Sequence, residues 1–312
     1  MTATVSMSIE LELKWGEQGL ETDPGYISER RSHETQALRR LLSACDEYDV
    51  PISFDVVGYL LHPEYIPPED DPYDDDWWPV GPESSVDTHP RYYAPDLVEE
   101  IVDTEVDHEI CTHTYSHLLA EQFDDDHLDW ELDRVEDLYE RNDLQKPVSF
   151  VAPRHHTVER DVLSKHGIRT IRIPIAGLPD HAPGKAWYML RREHPVAEPR
   201  ERNGIVEVPS TKAPSLTTAL LPEGRHPTHP GFRPIPKPVR RRIHQRYLQS
   251  ALDRALVEDS HVHLWTHLFN MSNDDQWLLI REFLRRAGQF QRRGGIDVVT
   301  LQECADRYAG GV

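Results

Sequence analysis

Apolar runs of strand length recur along the chain with amphipathic stretches between them, and this alternation restricts the fold more than any other feature. The runs are ATVSMSIELEL (3–13), PISFDVVGYLL (51–61), HEICTH (108–113), PVSFVAP (147–153), IRTIRIP (168–174), IVEVPS (205–210), HVHLWTH (261–267) and GIDVVTL (295–301). ETQALRRLLSACDEYD (34–49) and QWLLIREFLRRAGQFQRRGG (276–295) repeat apolar residues at three- and four-residue spacing, the period of a helix with one buried face. Strand and helix in alternation imply parallel strands joined by crossovers. With seven or eight strands, a distorted TIM-barrel-like (β/α) barrel of about seven strands is favoured over an open sheet. The expected fold is therefore α/β, a single domain over residues 1–312 with long loops.

Two stretches break the rhythm. Residues 62–92, rich in Pro, Asp and Trp, and residues 213–240, rich in Pro and locally basic, read as insertions into the domain. Trp77 and Trp78 in the first suggest a lid or a sugar-stacking platform over the mouth, or equally packing on the barrel exterior. The second runs into a cluster of Arg225, Arg233, Lys237, Arg240, Arg241, Arg242 and Arg246. Arginine forks match phosphate oxygens, so part of the cluster is expected either to receive a phosphate or to pair with the chain's own acids.

The chain carries 34 basic and 55 acidic side chains, a net charge of −21. Such a field argues against nucleic acid as a partner and fits a salt-loaded, halophilic cytoplasm. There is no apolar run long enough for a membrane span, and the first residues lack the pattern of a secretion signal, so a cytoplasmic location is expected. Cys45, Cys111 and Cys304 are too scattered for a disulfide framework or a thiolate metal site.

Chemistry is concentrated in three places. In HTYSH, His113 and His117 stand at i and i+4, on one face if the segment forms a helical turn, and close enough to share an ion. Such pairs also arise by chance among 18 histidines. In SIELELKWG, Glu10 and Glu12 are two apart in a strand and point the same way, either into a barrel mouth or out from a solvated edge. In HVHLWTH, the strand ends on His267, where barrel enzymes carry function.

The order of an acid-x-acid strand, HTYSH, a strand running into SFVAPR, and a late apolar strand ending in LWTH resembles the polysaccharide deacetylase family, also called the NodB-homology domain or carbohydrate esterase family four. The resemblance implies that Glu12, His113 and His117 hold a divalent metal, most simply Zn2+. It further implies that Glu10 is the base, that His267 is the general acid, and that Tyr115 offers a backbone N–H to the oxyanion. The reaction implied is metal-dependent hydrolysis of an N-acetyl group on a sugar or a nucleotide- or lipid-linked sugar. Departures are visible. Glu10 stands where the family carries Asp, and Val151 stands where it carries an Arg that orients the base. Arg154, three residues on, either substitutes or binds substrate, and Asp55, if it faces inward, adds an acid near the site. A carbohydrate-binding relative that lost its base, and an amidohydrolase on a small cyclic amide, are the rival readings.

Overall fold

The computed structural model describes residues 3–310 except 22, 75, 76, 157, 179–183, 185, 186, 188, 189, 191 and 192. Among these, nine strands form one sheet: β1 (Ala3–Leu11), β2 (Ser53–Val56), β3 (Glu109–Thr112), β4 (Ser149–Val151), β5 (Thr170–Pro174), β6 (Arg200–Arg202), β7 (Ile205–Ser210), β8 (His261–His267) and β9 (Ile296–Val299). The order is β6-β7-β5-β4-β3-β2-β1-β8, with β9 beside the start of β1, and every ladder is parallel except β6 against β7. Each apolar run contains one of these strands. The count exceeds seven because both the β8 and β9 runs join the sheet and because β6 adds a short antiparallel edge. That edge reads Arg-Glu-Arg and offers no apolar signal.

The helices are α1 (Ser32–Tyr48), α2 (Pro95–Val102), α3 (Asp125–Arg141), α4 (Arg160–Lys165), α5 (Lys237–Glu258), α6 (Asp274–Arg292) and α7 (Leu301–Tyr308), among the described residues. α7 starts at a capping box, in which Thr300 and Glu303 satisfy each other's backbone N–H. None of these helices is long and apolar enough to cross a membrane.

β1 is wholly buried, and its two faces differ in kind. Val5, Met7, Ile9 and Leu11 pack with Leu38, Leu41, Leu252 and Phe283 from the surrounding helices. Each such side chain stabilises the fold by about 1.5–3 kcal/mol relative to leaving it in water. The opposite face carries Thr4, Ser6, Ser8 and Glu10, also out of solvent. The sheet curls toward this polar face, far enough for Arg172 on β5 to touch Ser8 and Glu10 on β1 and Asp55 on β2. The segment after β7 runs back along the free edge of β8, where Ser215 N–H donates to the Trp265 carbonyl at 2.9 Å. The α/β expectation stands: the sheet is parallel-dominated and wraps a polar interior.

The basic cluster finds partners inside the molecule. Lys237 and Arg241 pair with Asp275, and Arg240 donates to the Leu220 carbonyl and the Thr228 hydroxyl, both at 2.6 Å. Arg233 reaches the Thr228 carbonyl and Arg225 the Ile27 carbonyl. These side chains knit the second insertion to α5, whose first turn begins at Lys237 within the stretch read as loop. Lys237, Arg240 and Arg241 of the cluster expected to receive a phosphate are thus engaged, at least in part, by the protein's own acceptors.

Candidate active site

Register sets the first row of the site. Glu10 on β1 is paired laterally with Asp55 on β2 and with His267 on β8, so three polar side chains stand side by side at one level of the sheet. Arg172 closes the row from β5. Its guanidinium pairs with the Glu10 carboxylate, donates to Asp55 Oδ2 at 3.1 Å and lies over the Trp265 ring, 4.6 Å from its centroid.

Val151 is the register partner of Arg172. The Arg missing at position 151 is thus supplied at the same level by the adjacent strand. Arg154 does not do this work: it is exposed, adopts a left-handed backbone (φ 54°) and donates to the Gln18 carbonyl at 2.7 Å. The substitution expected of Arg154 is corrected to Arg172. In the sequence this residue was one Arg in IRTIRIP, alternating with inward-reading isoleucines.

A second group lies one step further along. Glu12 Oε2 is 3.5 Å from His113 Nε2 and 3.2 Å from His117 Nε2, all three residues are buried, and their ligand atoms lie within 4.8 Å of one another. His113 and His117 are not on a helical turn. They sit on an irregular loop after β3, and their rings are brought 5.2 Å apart by left-handed kinks at Thr114 (φ 63°) and His117 (φ 64°). Residues other than Gly rarely adopt such angles, and they persist where the surroundings over-determine them. Here Thr114 Oγ1 accepts from Leu118 N–H at 2.8 Å, and the buried Glu131 carboxylate accepts from Tyr115 N–H at 2.6 Å and Ser116 N–H at 2.8 Å. Gly16 is required by Glu12: a Cβ there would fall 2.1 Å from Glu12 Oε1.

The three residues suit a divalent cation on their own chemistry. His113 Nδ1 donates to the Val151 carbonyl at 2.7 Å, which leaves Nε2 of the neutral ring as a buried lone pair without a hydrogen-bond partner, facing a carboxylate oxygen. Lone pair against lone pair is repulsive unless a cation or a proton intervenes. One carboxylate and two imidazoles make a three-ligand N/O set of the open kind found in catalytic sites.

Charge organises the two groups. Burial alone would raise the Glu10 carboxyl, but Arg172 and His267 override it and hold it well below the usual carboxylate range. Glu12 is likewise brought down to about 2 against its burial, by His267, His113 and His117. Burial would lower His267, yet Glu10 and Glu12 lift it to about 9, with its Nε2 2.9 Å from Glu10 Oε2. The site thus holds a carboxylate and an imidazolium side by side at neutral pH. Burial pushes Asp55 up to about 7, with Arg172 opposing.

Two other expected residues are placed differently. The Tyr115 N–H is occupied by Glu131, and its hydroxyl meets His62 Nε2 at 3.0 Å, so that amide is not available to an oxyanion. Trp77 donates to the Ser116 hydroxyl at 3.0 Å and is covered on one face by Tyr73, with ring centroids 4.6 Å apart. Trp78 packs among Trp15, Tyr59, Tyr115 and Trp130. The pair braces the histidine loop as part of an aromatic cluster and is not a free lid. His155 was not foreseen. Its ring lies edge-on to Trp265 at 4.7 Å, both ring nitrogens lack partners, and burial pushes it down to about 3.

Residues 22–171 match the family model described as polysaccharide deacetylase. Over 98% of its length the chain is similar in structure to a putative polysaccharide deacetylase from Mycobacterium smegmatis, covering 90% of that chain at TM-score 0.65 and 18% identity. A Puue allantoinase (TM-score 0.60, 12% identity, 99% and 90% covered) and a probable polysaccharide deacetylase from Pseudomonas aeruginosa PAO1 (0.59, 12%, 98% and 90%) share the fold. No curated protein matches the sequence significantly. The matched span holds His113 and His117 but ends one residue before Arg172, and Glu10, Glu12 and His267 also lie outside it.

Proposed function

We propose that this chain, a member of the polysaccharide deacetylase family through its match at residues 22–171, hydrolyses the N-acetyl group of a sugar or carrier-linked sugar with Zn2+ held by Glu12, His113 and His117. Members of that family are metal-dependent hydrolases acting on C–N bonds of acetylated sugars. The observation that carries the reading is the meeting of the buried Glu12–His113–His117 set with the Glu10–His267 pair on one wall of the site.

When bound, the ion supplies a Lewis acid for the acyl oxygen and lowers the pKa of a water toward neutrality. Glu10, ionised at neutral pH, takes the proton from the attacking water as its oxygen bonds to the acyl carbon. The extra methylene of Glu over the family's Asp is accommodated by Arg172, which fixes the carboxylate from β5. His267 holds a proton and gives it to the departing nitrogen as the C–N bond breaks, so acetate and amine leave together. Phe269 stacks on the His267 ring at 4.8 Å, and the Asn270 amide lies 3.3 Å from its Nδ1, which together orient the donor.

The test is acetate release from N-acetylated amino sugars by the Zn2+-loaded protein, with the Glu10→Gln and Glu12→Gln variants beside it. Turnover that Glu10→Gln abolishes while Zn2+ is retained, and that Glu12→Gln abolishes with loss of Zn2+, supports the reading. Tight Zn2+ binding with no acetate release overturns it in favour of a binding protein, and turnover of small cyclic amides alone overturns it in favour of another amidohydrolase.

A further inference from the structure

Behind the Glu10 row the interior is filled by an unbroken chain of buried hydrogen bonds. β1 presents Thr4, Ser6 and Ser8, and β8 presents His261 and His263 in the same register, each of the five at most 1% exposed. Ser8 Oγ lies 3.1 Å from His263 Nε2, and His263 Nδ1 lies 2.7 Å from Ser6 Oγ. Ser6 Oγ lies 3.0 Å from His261 Nε2, His261 Nδ1 2.8 Å from Thr4 Oγ1, and Thr4 Oγ1 2.8 Å from the Tyr308 hydroxyl. At its upper end Arg172 donates to Ser8 Oγ at 2.8 Å.

The first member fixes the direction of one bond. Arginine can only donate, so Ser8 Oγ accepts from it and keeps one proton and one further lone pair; we assign that proton to His263 Nε2. His263 then donates from Nδ1 to Ser6, Ser6 donates to His261 Nε2, His261 donates from Nδ1 to Thr4, and Thr4 donates to Tyr308. Each ring nitrogen then makes one bond, Ser8, Ser6 and Thr4 each accept once and donate once, and both rings are neutral Nδ1–H tautomers. Burial acts in the same direction, holding His261 down to about 3 and His263 well below its ordinary value.

The guanidinium between Ser8 and Glu10 does not give up its proton, so the column does not relay protons through Arg172. We propose instead that the column is a positioning device, in which His263 and Ser8 fix Arg172 and, through it, the carboxylate of Glu10. The inference rests on the deacetylase reading for the role of Glu10. It adds that the spacing of the base is set from the floor of the sheet and not from the substrate side. Misplacing a catalytic group by about an ångström costs roughly a hundredfold in rate.

The test combines NMR, kinetics and crystallography on the full-length, Zn2+-loaded protein. Ring-nitrogen NMR is expected to report Nδ1–H tautomers for His261 and His263; an Nε2–H tautomer or an imidazolium at His263 overturns the column. In His263→Leu and Ser8→Ala, kcat is expected to fall roughly 10- to 100-fold with KM within about twofold. His263→Gln, which keeps an acceptor for Ser8, is expected to recover most of the loss. Wild-type kcat in a folded, Zn2+-replete His263→Leu overturns the proposal, as does failure of Gln to do better than Leu. If the wild-type protein releases no acetate, the deacetylase reading fails on its own. The column is then judged by its tautomers and by a crystal structure of Ser8→Ala, where an Arg172–Glu10 contact unchanged from the wild type overturns it.

Discussion

The guanidinium of Arg172 and the carboxylate of Glu10, 162 residues apart in sequence, are paired out of solvent across the interior of the sheet. Removing one partner of a buried pair leaves the other charge uncompensated, at roughly 3–5 kcal/mol. Arg172→Gln is expected to lose that much stability in urea unfolding and about a hundredfold in kcat. Arg172→Lys should recover little, because one ammonium cannot serve Ser8, Asp55 and Glu10 as the fork does. A Lys variant with full activity would falsify the positioning role.

Gly16→Ala is expected to leave the melting temperature nearly unchanged and to weaken Zn2+ binding about 10- to 100-fold, as calorimetric titration would show. The three atoms nearest the new methyl would all belong to the Glu12 carboxylate, the first at 2.1 Å. A flexible carboxylate swings aside at little cost to the fold, and in doing so leaves His113 and His117, with which it is proposed to hold the ion.

Glu131 gathers donors from Tyr115 N–H, Ser116 N–H, the Ser116 hydroxyl and the Tyr73 hydroxyl. Glu131→Ala strands buried donors, each costing about 1–3 kcal/mol, and releases the loop between the two histidines. The expected result is a steep loss of stability together with weaker Zn2+ binding. A variant that binds Zn2+ as tightly as the parent would show that the left-handed turn holds without its anchor.

Acid should unfold the protein earlier than its carboxylates alone would. Burial lowers His194 and His244 to about 4 and His261 to about 3, so each is neutral when folded but takes a proton on unfolding below pH ~6.5. Stability is therefore complete above that pH and falls as pH drops toward 4. Three such groups give a slope of up to roughly 4 kcal/mol per pH unit. Urea midpoints measured from pH 7 to pH 4 check this, and His244→Leu should make the slope shallower by about one proton.

The strands were legible because helices cover one face of the sheet and force apolar residues at every second position. The polar half of that alternation is ambiguous in sequence: Thr4, Ser6, Ser8 and Glu10 read equally well as a solvated edge. Only the curl of the sheet decides that they face inward, where His261, His263 and Arg172 meet them. Spacing singled out His113 and His117, and the family resemblance added Glu12, but the reason the three converge was not legible. A helical turn was expected, whereas two left-handed residues pinned by Glu131 do the work. Arg172 was invisible because it replaces a residue from the neighbouring strand, a relation that exists in register and not along the chain.

The place of β1 has a consequence for how the protein is made. β1 leaves the ribosome well before its neighbours and lies between β2 and the pair β8 and β9, whose residues begin at 261 and 296. Until those segments emerge, one edge of β1 lacks its partner and two acids are committed to an interior that does not yet exist. Contacts of such long range make folding slow and leave the early chain exposed. No fragment that stops short of residue 267 can hold the Glu10–His267 pair, whose two members are made 257 residues apart.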